Sequence, residues 1–143
     1  MKENLILKLS IEINTKSSNV WVALTSPEWI KKYLFGTETI SEWKVGSPII
    51  FQGEWEGKKY HDKGTILKFE KNKIFQYNYW SNFSGFEDKP ENYTRITFEL
   101  TENNNKTILT LIQDHFVTQL QYEHSSKNWE LILASIKKML EDL

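Results

Sequence analysis

The 143-residue sequence predicts an α+β fold: a curved, seven-stranded antiparallel sheet, two short helices, and a long C-terminal helix over the concave face. Three observations predict it. Hydrophobic residues recur at every second position through residues 5–13, hairpin-type punctuation runs from Gly36 to Asn105, and a helical apolar stripe extends from Trp129 to Leu140. Helices and strands segregated along a chain in this way form separate layers over one core.

The elements follow in order. Leu5, Leu7, Leu9, Ile11 and Ile13 alternate with Lys8, Ser10 and Glu12, the pattern of a half-buried strand. Thr15 and Ser17 are candidate caps for a first short helix carrying Val20, Trp21, Ala23 and Leu24. In Ser26-Pro27-Glu28-Trp29, Ser26 is a candidate cap, Pro27 suits the first helical position and Glu28 complements the dipole of a second helix, which Gly36 is placed to end. Beyond it, Gly46-Ser47-Pro48, Glu56-Gly57, Lys71-Asn72 and Asn103-Asn104-Asn105 separate about six strands rich in aromatic and β-branched residues. Phe75, Tyr77 and Tyr79 alternate with Gln76 and Asn78, and Ile96, Phe98 and Leu100 with Arg95, Thr97 and Glu99. Leu109 and Leu111 against Ile108 and Ile112 leave both faces of the next strand candidates for cover. Trp129, Leu133, Ile136 and Leu140, flanked by Ile132, Met139 and Leu143, make an amphipathic helix. It starts either at a capping box, Thr118-Gln119-Leu120-Gln121, or after a break at Ser125-Ser126. No repeat or linker divides residues 1–143, so a single domain is expected.

Composition narrows the function classes. Eighteen Lys and Arg against nineteen Asp and Glu leave a net charge of −1, without the basic field that a nucleic-acid backbone requires, so no nucleic-acid partner is expected. No window approaches the roughly 20 apolar residues of a membrane span, and the N-terminal residues run into the first strand without a secretory apolar stretch, so the expected location is the cytoplasm. Zero cysteines exclude disulfides, thiol nucleophiles and thiolate metal sites, and the three N-x-S/T sequons read as chance products of an Asn-rich chain.

Three segments carry a family resemblance: Val20-Trp21-Val22-Ala23-Leu24-Thr25-Ser26-Pro27-Glu28-Trp29, Trp43-Lys44-Val45-Gly46, and Trp129-Glu130-Leu131-Ile132-Leu133. With them, the chain from Leu5 to Leu143 resembles the family similar to the C-terminal domain of the activator of Hsp90 ATPase, within the START-like or Bet v 1-like superfamily of helix-grip folds. The resemblance implies a β-α-α-β-β-β-β-β-β-α order with a cavity between sheet and last helix. It also implies binding of apolar or aromatic small molecules, as thought for small stand-alone bacterial members. The chain has no room for the extra N-terminal domain of a full-length activator, so a co-chaperone role is not expected to transfer on resemblance alone.

The residues themselves offer little catalytic chemistry. His61, His115 and His124 form no H-E-x-x-H pattern, Asp114 and His115 would point to opposite faces of a strand, and no phosphate or dinucleotide loop is present; neither metal nor cofactor is expected. A long helix laid across a bent sheet leaves aromatic residues lining a hollow, and the candidates for that lining are Trp55, Tyr60, Phe75, Tyr77, Tyr79, Phe98 and Trp129, with Leu133 and Ile136 beside Trp129. Each aromatic taken singly also fits an ordinary core, but together their polar tips suit a partly wet cavity. His61 shares parity with Thr65, Leu67 and Phe69 and faces the hollow unless a bulge intervenes at Gly64; His115 shares parity with Leu109 and Leu111. Arg95 reads as one half of a surface ion pair. The favoured function is non-catalytic binding of an apolar or aromatic small molecule, oriented by Tyr77, Tyr79 or His115. A chaperone-binding module and an enzyme acting on a cavity-bound substrate are the alternatives.

Overall fold

The computed structural model describes residues 5–143, and the reading of residues 1–4 lies outside the described residues. Strand β1 (Leu7–Ile13) leads into helices α1 (Ser17–Thr25) and α2 (Pro27–Tyr33). Six strands follow: β2 (Glu38–Ser41), β3 (Pro48–Trp55), β4 (Lys58–Glu70), β5 (Ile74–Tyr79), β6 (Thr94–Asn103) and β7 (Lys106–Asp114). Helix α3 (Gln119–Glu141) ends the chain. The sheet runs β1-β7-β6-β5-β4-β3-β2, antiparallel throughout, so the α1–α2 segment carries the chain from one edge to the other. The architecture is the curved helix-grip sheet expected from the sequence.

Local chemistry accounts for the connections. Glu56-Gly57 and Asn104-Asn105 form two-residue turns with both φ positive (49° and 79°; 53° and 64°), the turn whose twist matches the flanking strands. Gly36, at φ 83°, closes α2 by donating its N–H to the Lys31 carbonyl at 2.9 Å. The helix starts differ from expectation. Neither Thr15 nor Ser17 caps α1 with its side chain; the Ser17 N–H instead donates to Glu102 Oε1 at 2.7 Å, so a carboxylate from the β6–β7 hairpin satisfies the helix start. Ser26 holds the cap position of α2 without a side-chain bond. At α3 the first of the two starts is taken. Thr118 Oγ1 accepts from the Gln121 N–H at 3.1 Å and Gln121 Oε1 from the Val117 N–H at 2.8 Å, and the helix passes Ser125-Ser126 unbroken.

The core lies between the concave sheet face and the helices. Phe75 and Phe98 stack at 6.2 Å, and Phe75 also meets Trp21, Trp43 and Phe69, so this end of the molecule is closed by aromatic packing. Leu133, Ile136 and Leu140 bring the C-terminal half of α3 down onto it. On β7 only one face is covered: Leu109 and Leu111 are fully buried, Ile112 is half-buried and Ile108 is exposed. Arg95 forms the expected ion pair across the outer face, donating from Nε and Nη2 to the two Asp114 oxygens at 3.0 and 2.6 Å.

Candidate functional site

The N-terminal half of α3 stands off the sheet because its inward-facing stripe changes chemistry there. One turn before Trp129 the position belongs to Ser125, and Asn128 faces the same space, so small and polar side chains stand where Leu133 and Ile136 fill the other half. The result is a cavity of about 620 Å³, within the roughly 300–1,000 Å³ typical of small-molecule sites. Its buried wall includes Phe51 of β3, Asp62 of β4, Tyr77 of β5, Ile96 of β6, Gln113 of β7 and Trp129 of α3. Its mouth carries Phe35 (66% exposed), Trp55 (57%) and Phe83 (49%). These three are the exposed Phe and Trp side chains among the described residues, and all of them border this one opening. Phe35 is held there at φ 54°, a backbone conformation unusual for a bulky side chain, just ahead of Gly36.

Of the residues singled out in the sequence, Trp55, Tyr60, Tyr77, Tyr79 and Trp129 line the cavity. Phe75, Phe98, Leu133 and Ile136 lie in the closed core beside it. The two histidines point elsewhere. Asp62 and Ile66 face inward on β4, so His61, one position off, is exposed. Its parity with Phe69 is broken by an irregularity in the β4–β5 ladder between Ile66 and Lys68, three residues beyond the Gly64 position considered from sequence. His115 lies past the end of β7 at φ 65°, which turns it to solvent and buries Phe116 instead. That turn brings His115 Nε2 to 4.0 Å from Asp114 Oδ1 despite their opposed parity in the strand pattern, but the Asp114 carboxylate is already bound by Arg95.

Several polar groups in the wall are held by neighbours. Gln113 Oε1 accepts from Trp129 Nε1 at 2.9 Å while its Nε2 donates to Thr94 Oγ1 at 3.1 Å, tying α3 to β6 and β7. Tyr60 and Thr37 hydroxyls meet at 2.5 Å. Asp62, absent from the sequence-derived set, is the exception. It is 9% exposed, its Oδ2 accepts from the Tyr79 hydroxyl, and its Oδ1 is buried without a hydrogen-bond partner. Burial pushes this carboxyl above its ordinary value, against the opposing pull of the Ser81 and Tyr79 hydroxyls and the His61 imidazole. Burial, together with the nearby Asp62, also raises Tyr77 and Tyr79, so both phenols stay protonated.

A measurable consequence follows from the direction of the Asp62 shift. The folded carboxyl holds its proton to higher pH than the unfolded one, so the native state binds more protons across that interval. Stability therefore falls as pH rises from the ordinary carboxylate value through the raised one, and stays lowered above it. Asp62→Asn is expected to match the parent protein at acid pH and to exceed it at neutral pH, the gap opening above about pH 4 in urea titrations. A gap that closes with rising pH would contradict the burial account.

Among the described residues no three His, Cys, Asp or Glu side chains are grouped to hold a metal ion, and no helix is long and apolar enough to cross a membrane.

Comparison with known proteins agrees with this architecture. A Cytophaga hutchinsonii protein solved in solution is 44% identical, with a TM-score of 0.85, the match covering 99% of this chain and 97% of that one. The Aha1 dimer from Colwellia psychrerythraea is 21% identical with a TM-score of 0.75, covering 96% of each chain. DynU16, from the dynemicin biosynthetic locus, is 12% identical with a TM-score of 0.77, covering 95% of this chain and 47% of that one. These last two show a shared fold alone. No curated protein matches the chain. The sequence pattern of the activator of Hsp90 ATPase homolog 1-like proteins matches residues 14–141, and the chain belongs to that family.

Proposed function

We propose that the protein is a non-catalytic carrier or sensor that holds an apolar or aromatic small molecule between the sheet and α3. The observation that carries this reading is the cavity of about 620 Å³ with buried aromatic walls and an aromatic mouth. Protein interiors are ordinarily close-packed, yet the stripe of α3 turns to Ser125 and Asn128 where filling would be needed. A guest burying apolar surface gains about 25 cal/mol per Å² before ordering costs, enough for micromolar affinity without a charged contact. The fold neighbour from a biosynthetic locus is in keeping with a small-molecule ligand.

The test is a titration with hydrophobic aromatic compounds followed by amide shifts. Saturable shifts are expected at Phe51, Tyr77 and Trp129, and shifts scattered over the outer sheet face would count against the reading. In the same assay Trp55→Ala is expected to weaken binding about fivefold to thirtyfold, or ~1–2 kcal/mol, by removing one wall of the mouth. Its unfolding midpoint should be unchanged, since the side chain is mostly exposed. A chaperone partner, the second reading that the family suggests, would instead alter ATP turnover by the cognate Hsp90-type chaperone when this protein is added; the carrier reading expects no change.

A further inference from the structure

The one charged side chain in the buried wall is paired with no cation of the protein, and the His61 imidazole acts on it only from the exposed side of β4. Asp62 Oδ2 is occupied by the Tyr79 hydroxyl, Oδ1 is buried with no hydrogen bond of ordinary geometry although the Ser81 hydroxyl stands near the carboxyl, and no ion pair among the described residues involves it. Lys63, its chain neighbour, is taken up by Asp88 on the outer face at 2.5 Å. A carboxyl removed from water in this way is unfavourable unless a partner arrives. The surroundings favour a particular partner. Phe51 sits directly across the strand pair from Asp62, with the rings of Tyr77 and Tyr79 at 5.6 and 6.1 Å from its own, so the carboxyl opens among aromatic rings. Ring faces and a carboxylate together suit a cation, which each stabilises by a different route.

Resting on the carrier reading, we propose that the guest bears a protonated amine on an aromatic or aliphatic body, with the ammonium bound by Asp62 and the body lying against Phe51, Tyr77 and Trp129. The amine supplies the hydrogen-bond donor that Oδ1 lacks and the positive charge that the wall lacks. A guest carboxylate meets repulsion at the same place, and a neutral hydroxyl supplies a donor without the charge. Lys127 and His124 also border the cavity, but they are exposed on α3, where water and salt screen them.

Three probes of matched shape separate these cases: 2-(1-naphthyl)ethylamine, 2-(1-naphthyl)ethanol and 1-naphthaleneacetate, titrated calorimetrically into the intact chain at neutral pH. The amine is expected to bind at least about tenfold tighter than the alcohol, with the carboxylate weakest. Asp62→Asn, with Asp62→Ala as a second variant and amide spectra to confirm folding, is expected to bring the amine-to-alcohol ratio to about one. Equal binding of all three probes, an alcohol as tight as the amine, or a preference that survives both substitutions overturns the amine assignment and leaves the carrier reading standing. If none of the three binds saturably while the variants remain folded, both fall together.

Discussion

Trp129→Ala is expected to lower the unfolding free energy by about 3–5 kcal/mol, the range for deleting a large buried aromatic. The indole is 8% exposed, meets Phe98 edge-on at 5.6 Å and donates Nε1 to Gln113 Oε1 at 2.9 Å. Truncation removes the packing and also orphans a buried amide oxygen, which by itself costs about 1–3 kcal/mol if no water reaches it. Here the vacated space opens into the existing cavity, where water can enter, so the lower half of the range is favoured. Trp129→Phe separates the two contributions. It keeps most of the apolar contact and loses the hydrogen bond, and is expected to cost about 1–2 kcal/mol in the same urea titration. If both variants cost the same, the Gln113 bond, rather than packing, fastens the helix. If neither costs more than about 0.5 kcal/mol, α3 is not docked through Trp129 at all.

How much of this was legible in the sequence varies from element to element. The alternation Phe75-Tyr77-Tyr79 and Ile96-Phe98-Leu100 gave the sheet faces directly, because period two leaves no other assignment for a half-buried strand. The stripe of α3 gave the helix, and a long helix laid across a bent sheet gave the hollow in outline, whereas the part played by Ser125 and Asn128 shows only in the structure. The mis-sorting of cavity lining and closed core came from what periodicity omits. Phe75 and Phe98 face the same side as Tyr77 and Ile96, but Trp21 of α1 covers Phe75 and Trp129 of α3 covers Phe98, and the sequence pattern does not say where along the sheet a distant helix lands. His61 and His115 were placed inward by parity, which holds only along unbroken ladder; β4 is irregular past Ile66 and β7 ends at Asp114.

The inward position of Asp62 is contained in the hairpin pattern of β3 and β4. The Glu56-Gly57 turn fixes the β3–β4 register, which sets Phe51 opposite Asp62, and residues directly opposite each other project from the same face. An inward Phe51 therefore requires an inward Asp62. An acidic residue is seldom buried, so its type alone points the other way. Such local disagreements between residue type and environment concentrate where a chain does something other than pack.

The second large effect is expected on the strand that carries this carboxyl. A Cβ at Gly64 would lie 1.7 Å from the Asn78 carbonyl oxygen and 2.7 Å from its carbonyl carbon, an overlap with backbone that no rotamer change relieves. The approach is close because the β4–β5 ladder is interrupted there. Lys63 and Trp80 exchange hydrogen bonds at 2.9 Å, the regular pairing resumes at Ile66 and Tyr77, and between them the Thr65 N–H donates to Asn78 Oδ1 at 2.7 Å. Gly64→Ala must push the two strands apart, losing these bonds along with the packing of Ile66. Its cost is therefore expected at or above the top of the about 1–3 kcal/mol usual for overpacking. Amide exchange should locate the damage: protection at Thr65, Ile66 and Tyr77 falls, while β1 and β7, at the far side of the sheet, keep theirs relative to the lowered global stability. A variant as stable as the parent would mean the strands already stand further apart than the geometry requires. Asp62, two residues away, would then lose the rigid backbone that holds its carboxyl against the rings of Phe51 and Tyr77, and with it the basis for selecting a charged guest.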